Sequence, residues 1–513
     1  MQKEIAELIL YNGTIISLDD DCSIYNAIAV REGKIIALGD YAAIHQLHGF
    51  GTDEIDLKGQ TVIPGFFDNA VHVMNTGIGT MGVNLNHLNS REEVFKAIKQ
   101  AVDHMPENQF IYGYHFDDYM IGEPIDRFDL DKITMSHPVY IRRFDYHSAI
   151  VNSYMFNLLN LPWNIEGIVK NEEDIPTGLL KDRASMLARK KFVELAVDDR
   201  LRFKALENVN TEALKQGITT IQAMEGGFLF HDRDADFMHE KGKASLIDMI
   251  LYYQITDVGK IKKKGLTRIG GCIFVDGTIG MGTAALEEPY YDDSTNMGII
   301  YYSARELNDF ILEAHLAGLQ IAVHAIGERA IDLVLNAYEN ALEIYPSSNH
   351  RHRIEHFILP TDEQIKRAVN LGLIFSVHPA FDQLMGGPSG LYSKRIGARH
   401  SRVNPLRRIV DAGGMIIGSS ESDISPMNPI FGIHASVNHT NPESSITPLE
   451  ALKGFTINGA YSCFQEDKVG TLEIGKVADL AVLDINPLEC DPSEICHIKV
   501  KMTIKRGKIL FGL

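Results

Sequence analysis

The chain lacks the features of several large classes of protein. No apolar run reaches the roughly 18 residues of a membrane-spanning helix. The five cysteines form no C-x-x-C pair, and a scattered odd number is typical of a reducing cytosol rather than a disulfide framework. The first residues, MQKEIAELILYNG, are too charged for a secretory signal. We therefore expect a cytoplasmic protein.

Positive charge is also scarce. The sequence has 49 Lys and Arg against 68 Asp and Glu, for a formal net charge of −19. Such a surface repels phosphates and anionic lipid headgroups, and no large basic cluster offsets it. The expected partner is a small-molecule substrate, not nucleic acid and not a membrane. The length of 513 residues favours two domains, or a barrel with additions.

Both ends of the chain predict antiparallel β-structure. Apolar and polar residues alternate there, and the alternation is broken by turn signals such as Asn12-Gly13, Glu32-Gly33 and Arg506-Gly507. Neither end has enough strands to bury a sheet alone. We therefore predict one composite β-sandwich formed by both termini, residues 1–62 and 468–513.

The middle of the chain alternates short apolar runs with amphipathic helices. One helix begins with a capping box, Ser303 to Glu306, and ends before Gly318. Buried strands separated by helices predict a parallel sheet, and their repetition without G-x-G-x-x-G favours a closed barrel. The fold class is therefore α/β, a (β/α)8 TIM barrel over residues 63–467 with an insertion at about 80–190 that we expect to cover the site. The eight strand-like runs are TVIPGFF, ITTIQAM, SLIDMILYY, CIFVDG, LQIAVHAIG, HRIEHFIL, LIFSVHPA and MIIGSS.

Histidines recur near the ends of these strands, at His72, His324, His356 and His378. Side chains at the C-terminal ends of barrel strands converge on one mouth. A single buried histidine is more often a satisfied core residue, but four without a shared partner would be costly to bury. Imidazoles with nearby carboxylates predict a Zn²⁺-type or Mn²⁺-type metal site.

Segments along essentially the whole chain resemble the metal-dependent amidohydrolase superfamily. More narrowly they resemble its YtcJ-like branch, which includes N-substituted formamide deformylases. The resemblance implies a barrel with a composite sandwich, and one or two divalent metals that polarise a carbonyl and activate water. The matching segments are PGFFDNAVH at 64–72, RFDYHSAIVNS at 143–153, DGTIGMGTAALEEPYYDD at 276–293, HAIGERAID at 324–332, RIEHFILP at 353–360 and the stretch 447–484.

Three positions depart from the ligand pattern of that family. Ala70 stands where the first histidine of H-x-H is expected, and Cys272 stands where the family has a lysine on strand four. SSESDI at 419–424 replaces the strand-eight motif G-S-D-x-P-V, which aligns Glu421 with the aspartate and Asp423 with the proline. A pair of ions bridged by a carbamylated lysine is thereby disfavoured.

The resemblance then implies one divalent metal, with zinc expected because imidazole and thiolate ligands suit it. The expected ligands are His324, His356 and His72, which match the family. Cys272 is either a thiolate ligand or a small buried hydrophobe. Glu421 is favoured over Asp423 as the general base.

Other residues are candidates for catalysis or for contact with substrate. His147 matches a family histidine near the substrate, and His378 stands where the family usually has glutamine, so both are catalytic candidates. A salt-bridged lid is an equally good interpretation of the acidic residues in YGYHFDDYM. The substrate-binding candidates are His115, Asp117, Arg143, Asp145 and Glu225.

These inferences predict an enzyme that hydrolyses a C–N bond of a small amide or cyclic amide with one divalent metal. A metal-free or metal-altered lyase or isomerase on the same barrel is the alternative, because proton transfer alone needs no activated water. A non-catalytic protein that binds a small ligand is the third possibility. Barrels of this branch often pair, so a homodimer is expected.

Overall fold

The structure is a computed structural model that describes residues 5–86, 88–117, 121–143, 148–227 and 231–512. Its strands are β1 (Leu8–Ile16), β2 (Ile24–Arg31), β3 (Lys34–Gly39), β4 (Asp53–Asp56), β5 (Thr61–Pro64), β6 (Phe66–Val71), β7 (Val83–Asn84), β8 (Ile111–Phe116), β9 (Val139–Arg143), β10 (Ser148–Val151), β11 (Ile168–Lys170), β12 (Pro176–Lys181), β13 (Ile218–Glu225), β14 (Asp248–Tyr253), β15 (Arg268–Ile269), β16 (Gln320–Ala325), β17 (Arg353–His356), β18 (Ile374–Val377), β19 (Met415–Gly418), β20 (Leu480–Leu483), β21 (Val500–Lys505) and β22 (Lys508–Phe511).

The α-helices span Tyr41–Ile44, Val73–Gly79, Arg91–His104, Arg127–Ile133, Ser153–Leu159, Asp182–Ala196, Asp199–Lys215, Asp232–Lys241, Val258–Lys263, Ala304–Leu316, Glu328–Ile344, Asp362–Asn370, Ala380–Met385, Leu391–Ile396, Leu406–Asp411, Pro429–Val437, Pro448–Gly454 and Ile457–Ser462. Among these helices, none combines the length and the apolar character needed to cross a bilayer.

The two ends of the chain share one β-structure, as predicted. Its strand order is β22-β21-β20-β5-β1-β2-β3, with β4 paired to β1. The junction is the antiparallel pair of β20 and β5, in which Val482 lies opposite Val62. Buried apolar side chains from both ends, among them Leu10, Ile28 and Leu480, pack in one core. The composite sandwich is therefore held together by hydrophobic burial that neither terminus supplies alone.

Two of the three predicted turns are hairpin turns, and the third is not. Glu32-Gly33 joins β2 to β3 and Arg506-Gly507 joins β21 to β22, with positive φ at all four residues. Asn12-Gly13 instead lies inside β1, where the pairing with β2 shifts register as at a β-bulge. The backbone of Gly13 approaches its neighbours so closely that a Cβ there would lie 2.5 Å from the carbonyl oxygen of Gln60. A hairpin turn at this position was a wrong prediction.

The barrel is one parallel sheet of eight strands. Its order is β19-β18-β17-β16-β15-β14-β13-β6. The two edges meet where the N–H of His72 donates to the carbonyl of Ser422 at 2.9 Å and the N–H of Glu421 donates to the carbonyl of Ala70 at 3.0 Å. Strands such as β6, β16, β17 and β18 are buried along their whole length, as parallel strands covered on both faces must be. The predicted (β/α)8 fold is confirmed.

The fourth barrel strand differs from the prediction. The ladder covers only Arg268–Ile269, and the run CIFVDG lies beyond it, joined by isolated bridges such as the one between Phe274 and His324. Gly270 causes the early end of the strand, since its φ is +92° and a Cβ there would lie 2.1 Å from the carbonyl oxygen of Ala322. Cys272 is therefore carried by irregular backbone.

The predicted helix with the capping box forms, and a second amphipathic helix follows the fifth barrel strand. Ala304–Leu316 begins with the reciprocal capping box of Ser303 and Glu306. Glu328–Ile344 buries the face that includes Ile331, Val334 and Leu335. Both are amphipathic helices whose apolar stripe packs on the barrel sheet.

The residues Val73–Val209 and Glu225–Glu240 form a second compact unit. Its sheet has the order β11-β12-β10-β9-β8-β7. Two runs in excess of the eight barrel strands, QFIYGYHF and PVYIRRF, supply β8 and β9 of this sheet. Apolar side chains such as Phe116 and Ile141 form its own core.

Candidate metal centre

Six buried side chains meet where the barrel strands end. His324 and His356 lie in β16 and β17, while His72 and His378 directly follow β6 and β18. Their potential ligand atoms fall into three overlapping groups of three, and within each group all atoms lie within 4.8 Å of one another. The six residues, which we call the strand-end cluster, are His72, Cys272, His324, His356, His378 and Glu421.

The carboxylate of Glu421 contacts or faces most of this cluster. Its Oε1 lies 3.1 Å from Nε2 of His72 and 3.2 Å from Sγ of Cys272. The same oxygen is 3.8 Å from Nε2 of His356, and Oε2 is 3.6 Å from Nε2 of His378. Three imidazoles and one thiol therefore surround a single acid that is 1% exposed.

The protonation of His72 follows from its second contact. Nδ1 lies 3.0 Å from the carbonyl oxygen of Met224, which only accepts hydrogen bonds, so Nδ1 carries a proton. In the neutral ring Nε2 then presents a lone pair to the carboxylate of Glu421. Two acceptors at 3.1 Å repel each other unless a proton or a cation shares the space between them. The pair therefore requires positive charge.

His378 is oriented by a serine in the same way. The hydroxyl of Ser419 donates to the carbonyl of Val377 at 3.0 Å and accepts from Nδ1 of His378 at 2.8 Å. Nε2 of His378 then bears the lone pair of the neutral ring. Within the part of the chain that the structure describes, neither this nitrogen nor Oε2 of Glu421 has a hydrogen-bond partner.

His324 and His356 also have nitrogens that bind nothing among the described residues. Nε2 of His324 lies 3.2 Å from the carbonyl oxygen of Gly277, which leaves Nδ1 as the orphan atom. Nε2 of His356 lies 3.3 Å from Sγ of Cys272, and its Nδ1 is the orphan. Because a buried polar atom without a partner costs about 1–3 kcal/mol, such atoms call for a partner such as a metal ion or a water molecule.

Burial keeps two of these imidazoles neutral. It lowers the pKa of His356 well below its usual value and lowers the pKa of His378 to about 4. Neutral imidazole is the form that binds metals. Burial alone would raise the pKa of Glu421, but positive charge at the positions of His378 and His72 outweighs it and holds that pKa well below its usual range. The acid is therefore ionised.

The thiol of Cys272 behaves differently. Burial raises its pKa well above the usual value, and the charges of Glu421 and Glu355 raise it further. Without a cation the thiol keeps its proton and donates it to Oε1 of Glu421. Thiolate ligation at this position therefore requires that an ion displace the proton.

These observations test whether a divalent metal fits. Neutral imidazoles, an ionised carboxylate and a thiol are the ligand types that zinc prefers. The orphan nitrogens and the carboxylate oxygen are buried and unused, and positive charge is needed beside Glu421. The residues present therefore fit a divalent metal.

Three polar residues that the sequence did not assign support the cluster. Asp68 accepts the N–H of Ser420 at 2.9 Å, and burial raises the pKa of Asp68 to about 7. Arg353 lies below the site and donates to Glu355 at 2.7 and 2.8 Å and to Ser376 at 3.0 Å. Asp68 belongs to the segment PGFFD, so a signal for it existed. Arg353 and Ser419 begin the segments RIEHFILP and SSESDI, but those segments drew attention to their histidine and acidic residues instead.

Asp276, at the end of the fourth predicted strand, makes hydrogen bonds that stabilise the fold. Its carboxylate accepts the backbone N–H groups of Ala285, Ile326 and Gly327 at 2.8 to 3.0 Å. These bonds hold the loops that follow the fourth and fifth barrel strands. Asp423 is half-buried and belongs to none of the ligand groups formed by the described residues, whereas Glu421 belongs to two of them.

Four other predicted residues lie in the second unit. Arg143 is buried and donates to Ser148 at 2.8 Å. Glu225 ends β13, is buried, and accepts the N–H of Met74 at 2.9 Å. His115 and Asp117 are half-buried, at the end of β8 and just after it. Their contact with substrate stays a prediction. Asp145 and His147 lie outside the described residues.

The fold and the cluster define a barrel protein with a metal-type centre at the carboxyl ends of its strands. The chain also matches the model of the amidohydrolase family over residues 53–511. It belongs to that family, which confirms the resemblance inferred from the motifs.

Known proteins agree with this assignment. The chain is 27% identical to the YtcJ protein of Bacillus subtilis, covering 98% of this chain and 99% of that protein. It is 24% identical to an N-substituted formamide deformylase of Arthrobacter pascens, covering 99% of each. The crystal structure of an uncharacterized metal-dependent hydrolase from Pyrococcus furiosus is similar with a TM-score of 0.78 and 28% identity, covering 94% of this chain and 100% of that one.

Proposed function

We propose that the protein hydrolyses a C–N bond of a small amide or cyclic amide and uses one divalent metal, zinc, to do so. One observation carries the proposal: the buried imidazole of His72, held at Nδ1 by the carbonyl of Met224, faces the ionised carboxylate of Glu421, a contact that a cation between them would stabilise. The similarity to a formamide deformylase and to a metal-dependent hydrolase supports the reaction class.

The residues that would hold the ion are His72, His324 and His356, with Cys272 as a thiolate. When bound, such an ion polarises a carbonyl and lowers the pKa of a water molecule toward neutrality. His72 is held by the carbonyl of Met224, and His324 by the carbonyl of Gly277. Such backbone contacts fix the orientation of a ligating ring and its tautomer.

Glu421 is suited to move protons in this reaction. Its low pKa keeps Oε1 unprotonated near neutral pH, and that oxygen lies at the centre of the cluster. The carboxylate takes a proton from the attacking water, whose oxygen adds to the amide carbon. It then returns the proton to the leaving nitrogen, so that the amide and water become a carboxylic acid and an amine.

The test is metal content together with activity. Protein purified without chelator should contain about one equivalent of zinc, and a panel of formamides, linear amides and lactams should reveal turnover that a chelator abolishes and zinc restores. The variant Glu421→Gln should lose the turnover, because the group that moves the proton is removed.

Less than about a tenth of an equivalent of transition metal, with turnover that a chelator leaves unchanged, would overturn the hydrolase proposal and favour the lyase or isomerase alternative. Metal and ligand-induced stabilisation without turnover of any amide, lactam or hydroxy acid would favour a binding protein.

A further inference from the structure

We infer that His378 is itself a metal ligand, which supplies from β18 the imidazole nitrogen that β6 lacks at Ala70. The inference rests on the proposed metal dependence and adds a residue that is not part of the expected ligand set. It concerns how this chain can retain a metal centre after losing one of the usual histidines.

Ala70 is surrounded by apolar side chains. Its side chain is fully buried and packs with Met224, Tyr252 and Ala322 in a small apolar cluster. An imidazole at position 70 would have to displace these side chains, because protein interiors are close-packed. The space is therefore committed to apolar packing, and β6 contributes one donor, His72.

The orientation of the His378 ring is fixed by its neighbours. Its Nδ1 is bound by Ser419, which directs Nε2 into the strand-end cluster. The ring centroid lies 4.3 Å from that of His356 and 5.1 Å from that of Phe381, so the ring is packed from two sides. Had Nε2 carried the proton instead, that N–H would lie 3.6 Å from Oε2 of Glu421, which is too long for a hydrogen bond.

The distances between the imidazole nitrogens and the oxygens of Glu421 are close to those between two ligands of one ion. Two ligands of one tetrahedral ion, each about 2.1 Å from it, lie roughly 3.4 Å apart. Nε2 of His378 is 3.6 Å from Oε2 of Glu421, and Nε2 of His356 is 3.8 Å from Oε1 of the same acid. These separations exceed hydrogen-bond lengths and suit atoms that share an ion.

The potential ligand atoms of His356, His378 and Glu421 accordingly form one of the groups in which all atoms lie within 4.8 Å of one another. They come from consecutive strands, β17 and β18, and from the segment after β19. The metal centre would thus draw on the strands next to β6, since the N–H of Glu421 donates to the carbonyl of Ala70 itself. The ion bound by these residues is a borderline transition-metal cation such as Zn²⁺, for which Co²⁺ is a spectroscopic substitute.

The experiment measures metal binding rather than turnover. Zinc affinity is determined by competition with a chromophoric chelator, and the visible spectrum is recorded for protein loaded with Co²⁺. We expect His378→Ala to lower zinc affinity at least about 100-fold and to change the cobalt spectrum. Ser419→Ala, which removes the hydrogen bond that orients the ring, should lower affinity about 10-fold.

The matched control is His439→Ala. His439 is also a buried histidine, but its Nε2 lies 3.5 Å from Asp382 and it belongs to no ligand group among the described residues. Its removal should leave zinc affinity and the cobalt spectrum unchanged. If His378→Ala does not fold, as judged by circular dichroism, His378→Gln provides a side chain of similar size and should still alter the spectrum.

The outcomes separate the two proposals. Wild-type protein that binds no transition metal overturns the proposed metal-dependent function. Wild-type protein that binds zinc, while the His378 variants bind it with the same affinity and the same cobalt spectrum, overturns only the ligand role of His378. A variant that loses turnover but keeps affinity and spectrum has the same consequence, because it makes His378 a catalytic group instead.

Discussion

Sγ of Cys272 lies 3.2 Å from Oε1 of Glu421 and 3.3 Å from Nε2 of His356. The thiol of Cys272 thus lies between Glu421 and His356, two residues whose side chains could also bind a metal ion. If Cys272 is a thiolate ligand, Cys272→Ser should lower zinc affinity at least about 10-fold and abolish the thiolate charge-transfer band of the cobalt-loaded protein. Cys272→Ala controls for packing. Unchanged stoichiometry, affinity and spectrum in the serine variant would show that Cys272 is only a small buried side chain.

Glu421 and Asp423 are two residues apart and offer a direct comparison. Glu421→Gln should reduce turnover about 10²–10⁴-fold, because a general base is lost. Asp423→Asn removes a charge from a half-buried residue outside the ligand groups formed by described residues, so turnover should change less than about 10-fold. The measurement is kcat/KM for both variants on one substrate. A larger loss for Asp423→Asn would reverse the assignment of the base.

Low pH should destabilise the folded protein through two histidines, His350 and His352, which lie just before β17 begins. Burial lowers the pKa of His350 below its ordinary 6.5, and it lowers that of His352 well below 6.5. Below pH 6.5 the unfolded chain therefore binds protons that the folded chain does not, so stability is present above that pH and falls as pH decreases. The expected slope reaches about 1.4 kcal/mol per pH unit for each histidine.

Urea unfolding at pH 7.5, 6.5 and 5.5 measures this slope. His352→Asn should flatten it, since asparagine does not titrate. His45→Asn is a suitable control because His45 is an exposed residue of the sandwich that contacts Glu54. A slope that stays unchanged in the His352 variant would contradict the assignment.

Arg353 and Glu355 form a fully buried ion pair near the strand-end cluster. Arg353→Met should lower the free energy of unfolding by about 3–5 kcal/mol, because it leaves a buried carboxylate without its partner. The double variant Arg353→Met, Glu355→Met should recover most of that loss. The partly exposed pair of Arg367 and Glu339 is the control, and Arg367→Ala should cost no more than about 1 kcal/mol. Chemical denaturation that gives equal losses for both arginines would contradict this prediction.

Much of the fold followed from local signals. Buried strands, capped helices and Gly-containing hairpin turns depend on residues close together in the sequence, and strands β6, β13, β14 and β16 to β19 overlap the predicted runs. The errors occurred where distant contacts decide the backbone. Gly13 is packed against Gln60, and Gly270 against Ala322, so a bulge and a shortened strand replaced the expected turn and the expected strand.

The candidate site was likewise predictable from the sequence only in part. The strand-end histidines were visible because the chain alternates in a regular pattern and parallel strands end at one edge of the barrel. The support of Ser419 for His378 and the filling of the space at Ala70 were not visible. Both depend on contacts between residues that are 41 positions apart or more, such as the hydrogen bond from His378 to Ser419.

The sequence by itself determined the ancestry of this protein, its barrel and its composite sandwich, because those features depend on hydrophobic pattern and on recognisable motifs. Tertiary structure settled the choice between two acids that the sequence had only favoured one way, and it alone decided which nitrogen each imidazole presents. Glu421, and not Asp423, lies among the histidines, and carbonyl and hydroxyl groups from distant strands set the protons of His72 and His378. Hydrogen bonds in a buried site act over a few ångströms, so only the folded chain specifies them.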